Sequence, residues 1–452
     1  MADNIISAKD CEFFESKNNK SKKSDNIKEL YDFTASFSKD HVFSFSNKTK
    51  DKTIDYRDAP FATFEYDSEI NKINWRAGRW VGENKNKNRT ILVEPRFGDI
   101  ILFIMLEEIF SINILNDSKK VSNSNSINSL LENIIPLIWE RQLGNANRYG
   151  FPRNNNKVYY KGSKIKGNID IRKSIIPFFK DNKIVSFCYE KQIDTTIASI
   201  IQKAYQILSK HRKINLSDNS LNVINAINMA HIPNKPITEV EYQSIQYKSI
   251  YQSYKNVVDF SWQIIKNHNF SNQDNNSTNG FSCWIDMAEI WELTLLNILK
   301  KEFPDWNIES PQIKVYEDTF FARHIIPDIV MTKQDDVVIF DAKWKKMRFD
   351  KNKKDVDRED FFQIHTYISY YQNLGKNVII AGLLYPLEET PTEHNIPLYL
   401  FGLENKEVKF IISGIVLPKM EDSNKSEKRK NIQEEFNKNK SSFIESLKQY
   451  LS

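Results

Sequence analysis

Asp328 and Asp341 lie thirteen positions apart, and the residues around and between them permit few folds. Ile-Ile-Pro-Asp (325–328) leads through a polar stretch, 332–336, into Val-Val-Ile-Phe-Asp-Ala-Lys-Trp-Lys (337–345). The pattern predicts a short apolar strand over 324–331, a turn, and a second strand over 337–343. Four consecutive apolar residues, 337–340, suit a strand covered on both faces. Asp341 and Lys343 are two apart, so their side chains share a face of that strand. Asp328, on the neighbouring strand, is expected to meet Asp341 at its end. An isolated Pro-Asp or Asp-x-Lys is usually a turn cap or a solvated strand end; the coupling of both across an apolar strand favours chemistry.

Two carboxylates about 4 Å apart repel by roughly 4 kcal/mol at an effective dielectric of about 20. Such a pair needs a cation, a shared proton or basic partners. Mg2+, with Mn2+ as its substitute, is the expected cation, because a hard ion takes carboxylate oxygens and keeps several waters. Lys343 would then stand where it can orient an attacking water or stabilise charge on a phosphate. This is the chemistry of phosphodiester hydrolysis.

Two flanking stretches extend the pattern. Residues 286–299 read as an amphipathic helix with acidic positions, and Gln363 and Tyr367 are four apart on a second helical stretch, hence on one face. The order of helix, strand with Asp, strand with Asp-x-Lys and helix with Gln-x-x-x-Tyr resembles the PD-(D/E)xK nucleases, in their RecB-like branch.

The remainder narrows the setting. At 452 residues the chain has room for two or three domains, and 64 basic against 59 acidic side chains leave a net charge of only +5. Global charge therefore does not argue for nucleic acid. Cys11, Cys188 and Cys283 have no metal-ligand spacing, which points to a reduced compartment without a zinc site. The N-terminus does not read as a signal peptide, and the longest apolar runs, 100–106 and 378–385, are too short to cross a bilayer. The expectation is a cytoplasmic, prokaryotic protein with no membrane association. Residues 1–50 read as a weakly structured extension. A β-rich module follows, with 91–97 as a strand stopped by Pro95, then a buried helix over 99–115, a polar loop over 116–129 and a helix over 130–142. In the middle, Asp194 reads as the N-cap of a helix over 197–208. An Asn/Ser-rich loop over 267–280 precedes the acidic helix. Strands are expected over 377–385 (ended by Pro386), 398–403 and 408–415, then a polar tail over 421–440 and a short helix over 441–450. The expected domains are 1–50, 51–245 and 246–452.

From about residue 60 onward the order of motifs resembles the McrC family, the nuclease subunits of McrBC modification-dependent restriction systems. Trp75-Arg-Ala-Gly-Arg-Trp-Val-Gly and Ile91-Leu-Val-Glu-Pro-Arg-Phe resemble its N-terminal module. Lys164-Ile-Lys-Gly-Asn-Ile-Asp-Ile resembles its Arg-Gly-Arg-Ile-Asp segment, with Lys164, Lys166 and Asn168 departing from it. Cys188-Tyr-Glu and Asp194 onward resemble the lead into its central helix. Met287-Ala-Glu-Ile-Trp-Glu resembles its Leu-Phe-Glu motif, which makes Glu292 rather than Glu289 the helix carboxylate.

The resemblance implies a mixed fold (α+β or α/β): a β-rich N-terminal module and helical middle, then a PD-(D/E)xK nuclease domain. It implies a catalytic set of Asp328, Asp341, Lys343, Glu292, Gln363 and Tyr367. Asp328, Asp341, Glu292 and the Ala342 carbonyl would be the metal ligands. Lys345, Lys346 and Arg348 would contact nucleic acid, in a stretch (341–358) of eight basic and four acidic side chains, net +4. It also implies an McrB-like AAA+ GTPase hexamer as partner, stimulated by the N-terminal region, and double-stranded DNA as substrate. The chain lacks a Gly-x-x-x-x-Gly-Lys-Ser/Thr loop of its own. The reader of the target, 5-methylcytosine in such systems, would belong to the partner. Two alternatives stand beside this reading: a subunit whose partner reads unmodified sequence, and a non-cleaving assembly or GTPase-activating subunit.

Overall fold

Apolar strands set between amphipathic helices produce a mixed α/β architecture. The computed structural model describes residues 4–14, 23–37, 42–45, 59–67, 72–86, 89–111, 127–211, 214–230, 232, 236–273, 284–315, 323–345, 347, 357–389, 398–400, 408–418 and 425–451. The chain begins with β1 (Asn4–Lys9), α1 (Lys23–Ser36), β2 (Val42–Phe43), β3 (Ala62–Asp67), β4 (Lys72–Ala77), β5 (Trp80–Asn86), β6 (Arg89–Glu94) and α2 (Asp99–Phe110). Its middle holds α3 (Ile127–Ala146), β7 (Arg153–Gly162), β8 (Asn168–Ile169), α4 (Ile171–Asp181), β9 (Ile184–Ile193), α5 (Thr195–His211), α6 (Asp218–Met229), α7 (Glu239–Gln243) and α8 (Tyr254–Gln273). Next come β10 (Trp284–Asp286), α9 (Met287–Glu302), β11 (Asn307–Glu309), β12 (Ile313–Val315), β13 (Arg323–Ile325), β14 (Ile329–Lys333) and β15 (Asp336–Ala342). The chain closes with α10 (Arg358–Asn373), β16 (Asn377–Leu387), β17 (Leu398–Leu400), β18 (Val408–Val416) and α11 (Lys425–Leu451). Two compact units result: Met1–Leu131 with Phe270–Ser452, and Glu132–Asn269.

In the first unit a six-stranded sheet runs β11-β14-β15-β16-β18-β17. The expected hairpin is present: β14 and β15 pair antiparallel from Ile329↔Phe340 to Lys333↔Asp336. Its turn places Gln334 in the left-handed region at φ 57. The expected strand over 324–331 is divided into β13 and β14, which pair in different sheets, with Pro327 between them. β15 and β16 pair parallel and are joined through α10, the crossover that parallel strands require. Val337–Phe340 are each at most 1% exposed, as their apolar run anticipates. Ile364, Tyr367 and Ile368 of α10 pack against Val337, Ile339 and Val378. Each such burial contributes roughly 1.5–3 kcal/mol.

The second sheet of this unit, β1-β6-β5-β10-β2, revises the reading of the N-terminus. Residues expected to be a weakly structured extension supply β1, parallel to β6, and β2, parallel to β10. β10 pairs antiparallel with β5 and runs directly into α9. Trp284 of β10 joins Phe14, Phe61 and Trp80 in one apolar cluster, with Phe33 and Phe37 packed against it. Buried apolar surface, not position along the chain, therefore groups the N-terminal module with residues after 270, in contrast to a boundary near 245.

The second unit is built on β7 and β9, paired antiparallel from Arg153↔Ile193 to Gly162↔Ile184, with β8 alongside β9. Its core includes Trp139, stacked on Tyr205 and donating Nε1–H to Ser261 Oγ at 2.8 Å. Asp194 caps α5 as expected, its Oδ1 accepting from the N–H groups of Thr196 and Ile197.

Four boundaries differ from expectation. α2 stops at Phe110, with Ser111 left-handed at φ 52, and 112–126 lie outside the described residues. α8 continues to Gln273 through half of the expected 267–280 loop, the rest of which is outside the description. β16 carries Pro386 within it, opposite Ile415. The C-terminal helix is 27 residues long, since Ile432, Phe436, Phe443, Ile444 and Leu447 repeat at helical spacing and are all buried. Among the described residues no helix is long and apolar enough to cross a membrane.

Candidate active site

Asp328 sits where β13 gives way to β14, and its Oδ2 accepts the N–H of Ala342 at 2.8 Å. That bond ties it to the end of β15, beside Asp341. Asp341 is 1% exposed, and its Oδ2 lies 2.5 Å from Lys343 Nζ. The contact is an ion pair without a well-directed hydrogen bond, so this buried oxygen has no hydrogen-bond partner. Lys343 also pairs with Asp360 Oδ1 at 3.1 Å and donates to Gln363 Oε1 at 2.8 Å. Gln363 Nε2 donates to Tyr367 Oη at 2.7 Å, and that hydroxyl donates to the Ile326 carbonyl at 3.1 Å. The chain of bonds returns to the residues just before Asp328.

Electrostatics follow from this burial. Burial pushes the Asp341 carboxyl up to about 7, the nearby charge of Asp328 pushes the same way, and Lys343 offsets both only in part. For Lys343, burial opposes the charged form, but Asp341, Asp360 and Asp328 outweigh it and hold the ammonium above its ordinary value.

Asp360 was not among the residues read from sequence. It is 4% exposed in the first turn of α10, pairs with the Lys343 ammonium and accepts from Lys345. The available signal was its spacing, three residues before Gln363 on the same helix face. Lys345 is spoken for by Asp357 at 2.8 Å and Asp360 at 3.0 Å. Lys346 and Arg348 lie outside the described residues.

Glu292, Asp328, Asp341, Ala342, Lys343 and Gln363 all line one cleft of about 980 Å³, with Tyr367 buried behind Gln363. Trp291 fixes the turn carrying Glu292, since its Nε1–H donates to the Leu384 carbonyl at 3.1 Å. Glu289 accepts instead from Ser44 Oγ at 2.7 Å and the Phe45 N–H at 3.2 Å, a bond to the N-terminal segment. Among the described residues no group of three or more Asp, Glu, His or Cys side chains is gathered as a metal cage. The donor chemistry nonetheless fits a hard divalent cation, because the buried Asp341 Oδ2 has only an ammonium against it, and Asp328 and Glu292 share its cleft.

The N-terminal module reaches the same place. Asp10, fully buried at the end of β1, accepts from the Arg96 N–H at 2.6 Å and from Trp344 Nε1–H at 2.5 Å. The Arg96 guanidinium lies 4.9 Å from the Phe97 ring centre and 4.7 Å from that of Trp344. Trp344 is the residue after Lys343. Arg76 and Arg79 of the same module line the cleft.

Fold and site define a mixed α/β protein with an acidic cleft built on an Asp–Asp–Lys hairpin. Residues 75–386, more than half of the chain, match the family described as McrBC 5-methylcytosine restriction system component, and the chain belongs to that family. Among solved structures, the half-complex of Thermococcus gammatolerans McrB AAA+ hexamers with bound McrC contains a similar chain. It is 14% identical with a TM-score of 0.49, over 96% of this chain and all of that one. A chain of the Thermococcus gammatolerans McrBC complex is 13% identical with a TM-score of 0.37, over 66% of this chain and 88% of that one. No curated protein matches in sequence.

Proposed function

We propose that this chain is the nuclease subunit of an McrBC-type restriction or anti-phage complex, a Mg2+-dependent endodeoxyribonuclease of the PD-(D/E)xK type. The observation that carries the reading is the buried Asp341–Lys343 pair, bonded through Ala342 to Asp328 in the cleft that also holds Glu292. Membership of the McrBC family supports it.

Asp328, Asp341, Glu292 and the Ala342 carbonyl would hold the cation, Mg2+ or Mn2+. When bound, the ion supplies Lewis-acid polarisation of the phosphate and makes water a better nucleophile. Lys343 Nζ orients the attacking water and stabilises charge on the phosphate oxygens. Gln363 holds that ammonium in place, Tyr367 holds Gln363, and Asp360 keeps Lys343 protonated. Lys345 would contact double-stranded DNA beside the site; Lys346 and Arg348, expected to do the same, lie outside the described residues.

The partner is an AAA+ GTPase hexamer, as in the complexes of McrB with McrC, which supplies movement and the reading of 5-methylcytosine. The middle unit offers it a surface, since α4 leaves Ile171, Ile176 and Phe179 at 74%, 76% and 84% exposure. Such a complex works in the cytoplasm.

That the carboxylates share a cleft but, among the described residues, do not gather into a group of three favours one competitor, a non-cleaving subunit that only assembles and activates the GTPase. Reconstitution with the partner, GTP and Mg2+ separates the two. Cleavage of DNA that is lost in Asp341→Ala supports the nuclease; no cleavage by the intact complex removes it. Methylated and unmethylated substrates in the same assay tell a modification reader from a reader of unmodified sequence.

A further inference from the structure

We infer that Arg76 and Arg79, carried by the N-terminal module, grip the phosphates of the nucleic-acid strand entering the cleft. The inference rests on the nuclease reading of that cleft and assigns substrate binding to a module outside the Asp–Asp–Lys hairpin.

The turn between β4 and β5 has little freedom, because a Cβ on Gly78 would come within 2.5 Å of the Pro60 carbonyl oxygen. The arginines on either side are pinned as well. Arg76 donates Nε–H to the Cys11 carbonyl at 3.0 Å and pairs through Nη1 with Glu65 at 3.1 Å. Arg79 pairs through Nη2 with Asp286 at 2.9 Å and lies 5.5 Å from the Trp80 ring centre. These contacts fix the stems without using up the forks. Nη2 of Arg76 and Nη1 of Arg79 have no partner among the described residues, and Nε of Arg79 is buried without a hydrogen bond. Both side chains remain 38% exposed, in the cleft that holds Asp341 and Lys343. A held guanidinium with spare in-plane donors suits a phosphate, at little further cost in side-chain entropy.

Charge makes such a grip necessary. The residues lining the cleft include nine with carboxyl groups and four with cationic ones. A polyanion enters only where cations meet its phosphates. All four cations meet a carboxylate, Lys343 and Lys345 that of Asp360, Arg76 that of Glu65 and Arg79 that of Asp286, but a guanidinium paired through one nitrogen keeps further donors for a phosphate.

The test measures anisotropy of a short DNA duplex with the full chain in Ca2+, across a salt series, for Arg76→Gln, Arg79→Gln and Arg76→Lys. Each Gln variant should bind roughly five- to tenfold more weakly, with the slope of log K against log salt reduced by about 0.9. Arg76→Lys, which keeps the charge and can keep the Glu65 pair, should recover the slope and much of the affinity. Thermal melts identify any variant that fails to fold, and the Lys variant then decides. Binding lost with the slope unchanged, or not lost in a folded variant, overturns the grip, as does an intact chain that does not bind. Cleavage by the complex is assayed in parallel. An intact chain that binds through both arginines but never cuts removes the nuclease reading alone, and one that cuts equally well in all variants removes the grip alone.

Discussion

Lys343 joins two elements through one ammonium: it touches Asp341 on β15, and Asp360 and Gln363 on α10. Lys343→Ala removes that charge from between buried carboxylates. Cleavage should fall by about two to three orders of magnitude, the usual cost of losing a placed electrostatic stabiliser. Stability should fall by about 3–5 kcal/mol, because the buried Asp341 loses its cation while Asp360 keeps only Lys345. Urea melts beside turnover measurements on the reconstituted complex check both. Asp341 gives the pH dependence. Its ordinary value is 3.8, and in the folded chain it is about 7. Between those values the folded state keeps a proton that the unfolded state releases, so metal-free stability falls as pH rises through this window. Above about pH 7 the whole cost is present, so the melting temperature of Asp341→Asn should exceed that of the parent there, with a smaller gap near pH 4. Adding Mg2+ at the higher pH should raise the parent's melting temperature and leave the variant's unchanged. A parent that gains stability on going from pH 5 to 8 without metal would contradict this. Asp328, Asp341 and Lys343 could be read from spacing because strand periodicity fixes which side chains share a face. Spacing puts Asp360 on the helix face of Gln363, but its contact with Lys343 depends on where α10 lands on β15, which local pattern does not record.

The hairpin and α10 were legible for the same reason: a four-residue apolar run and a four-residue helical interval are strong local signals. β1, β2 and β10 were not. β2 has two residues and β10 three, so tertiary pairing rather than intrinsic pattern makes them strands. The polar, Lys- and Asn-rich composition of the first fifty residues pointed toward a tail, yet Ile6 and Ala8 are 3% and 5% exposed. The consequence is functional, since the end of β1 supplies Asp10, the acceptor for Trp344 beside Lys343. A chain shortened by residues 1–14 loses a sheet edge and this anchor. It should show a lower melting temperature and little cleavage even where it still binds the partner. Trp344→Phe is the milder version, keeping the ring but leaving a buried carboxylate short of one donor, at about 1–3 kcal/mol. Full cleavage and an unchanged melt in the truncated chain would return β1 to the status of a tail.

One unit of the chain holds the acidic cleft, and the other has a surface of different character. On α4 the N-cap Asp170 and the buried Ser174 satisfy the backbone, while Ile171, Ile175, Ile176, Phe178 and Phe179 all remain at least half-exposed or close to it (49–84%). Single exposed apolar residues are ordinary, but five on an eleven-residue helix make a patch that water disfavours and a protein partner can cover. If the AAA+ hexamer covers it, replacing Ile176 and Phe179 by Ser removes two anchors whose burial is worth roughly 1.5–3 kcal/mol each. Association with the partner should then weaken by at least about tenfold in calorimetry or sedimentation, because 1.4 kcal/mol already corresponds to that factor. The melting temperature of the chain itself should hold, since neither side chain is buried in it. Undiminished association in a variant that melts normally would place the partner's contact elsewhere on the chain and leave the α4 face without that occupant.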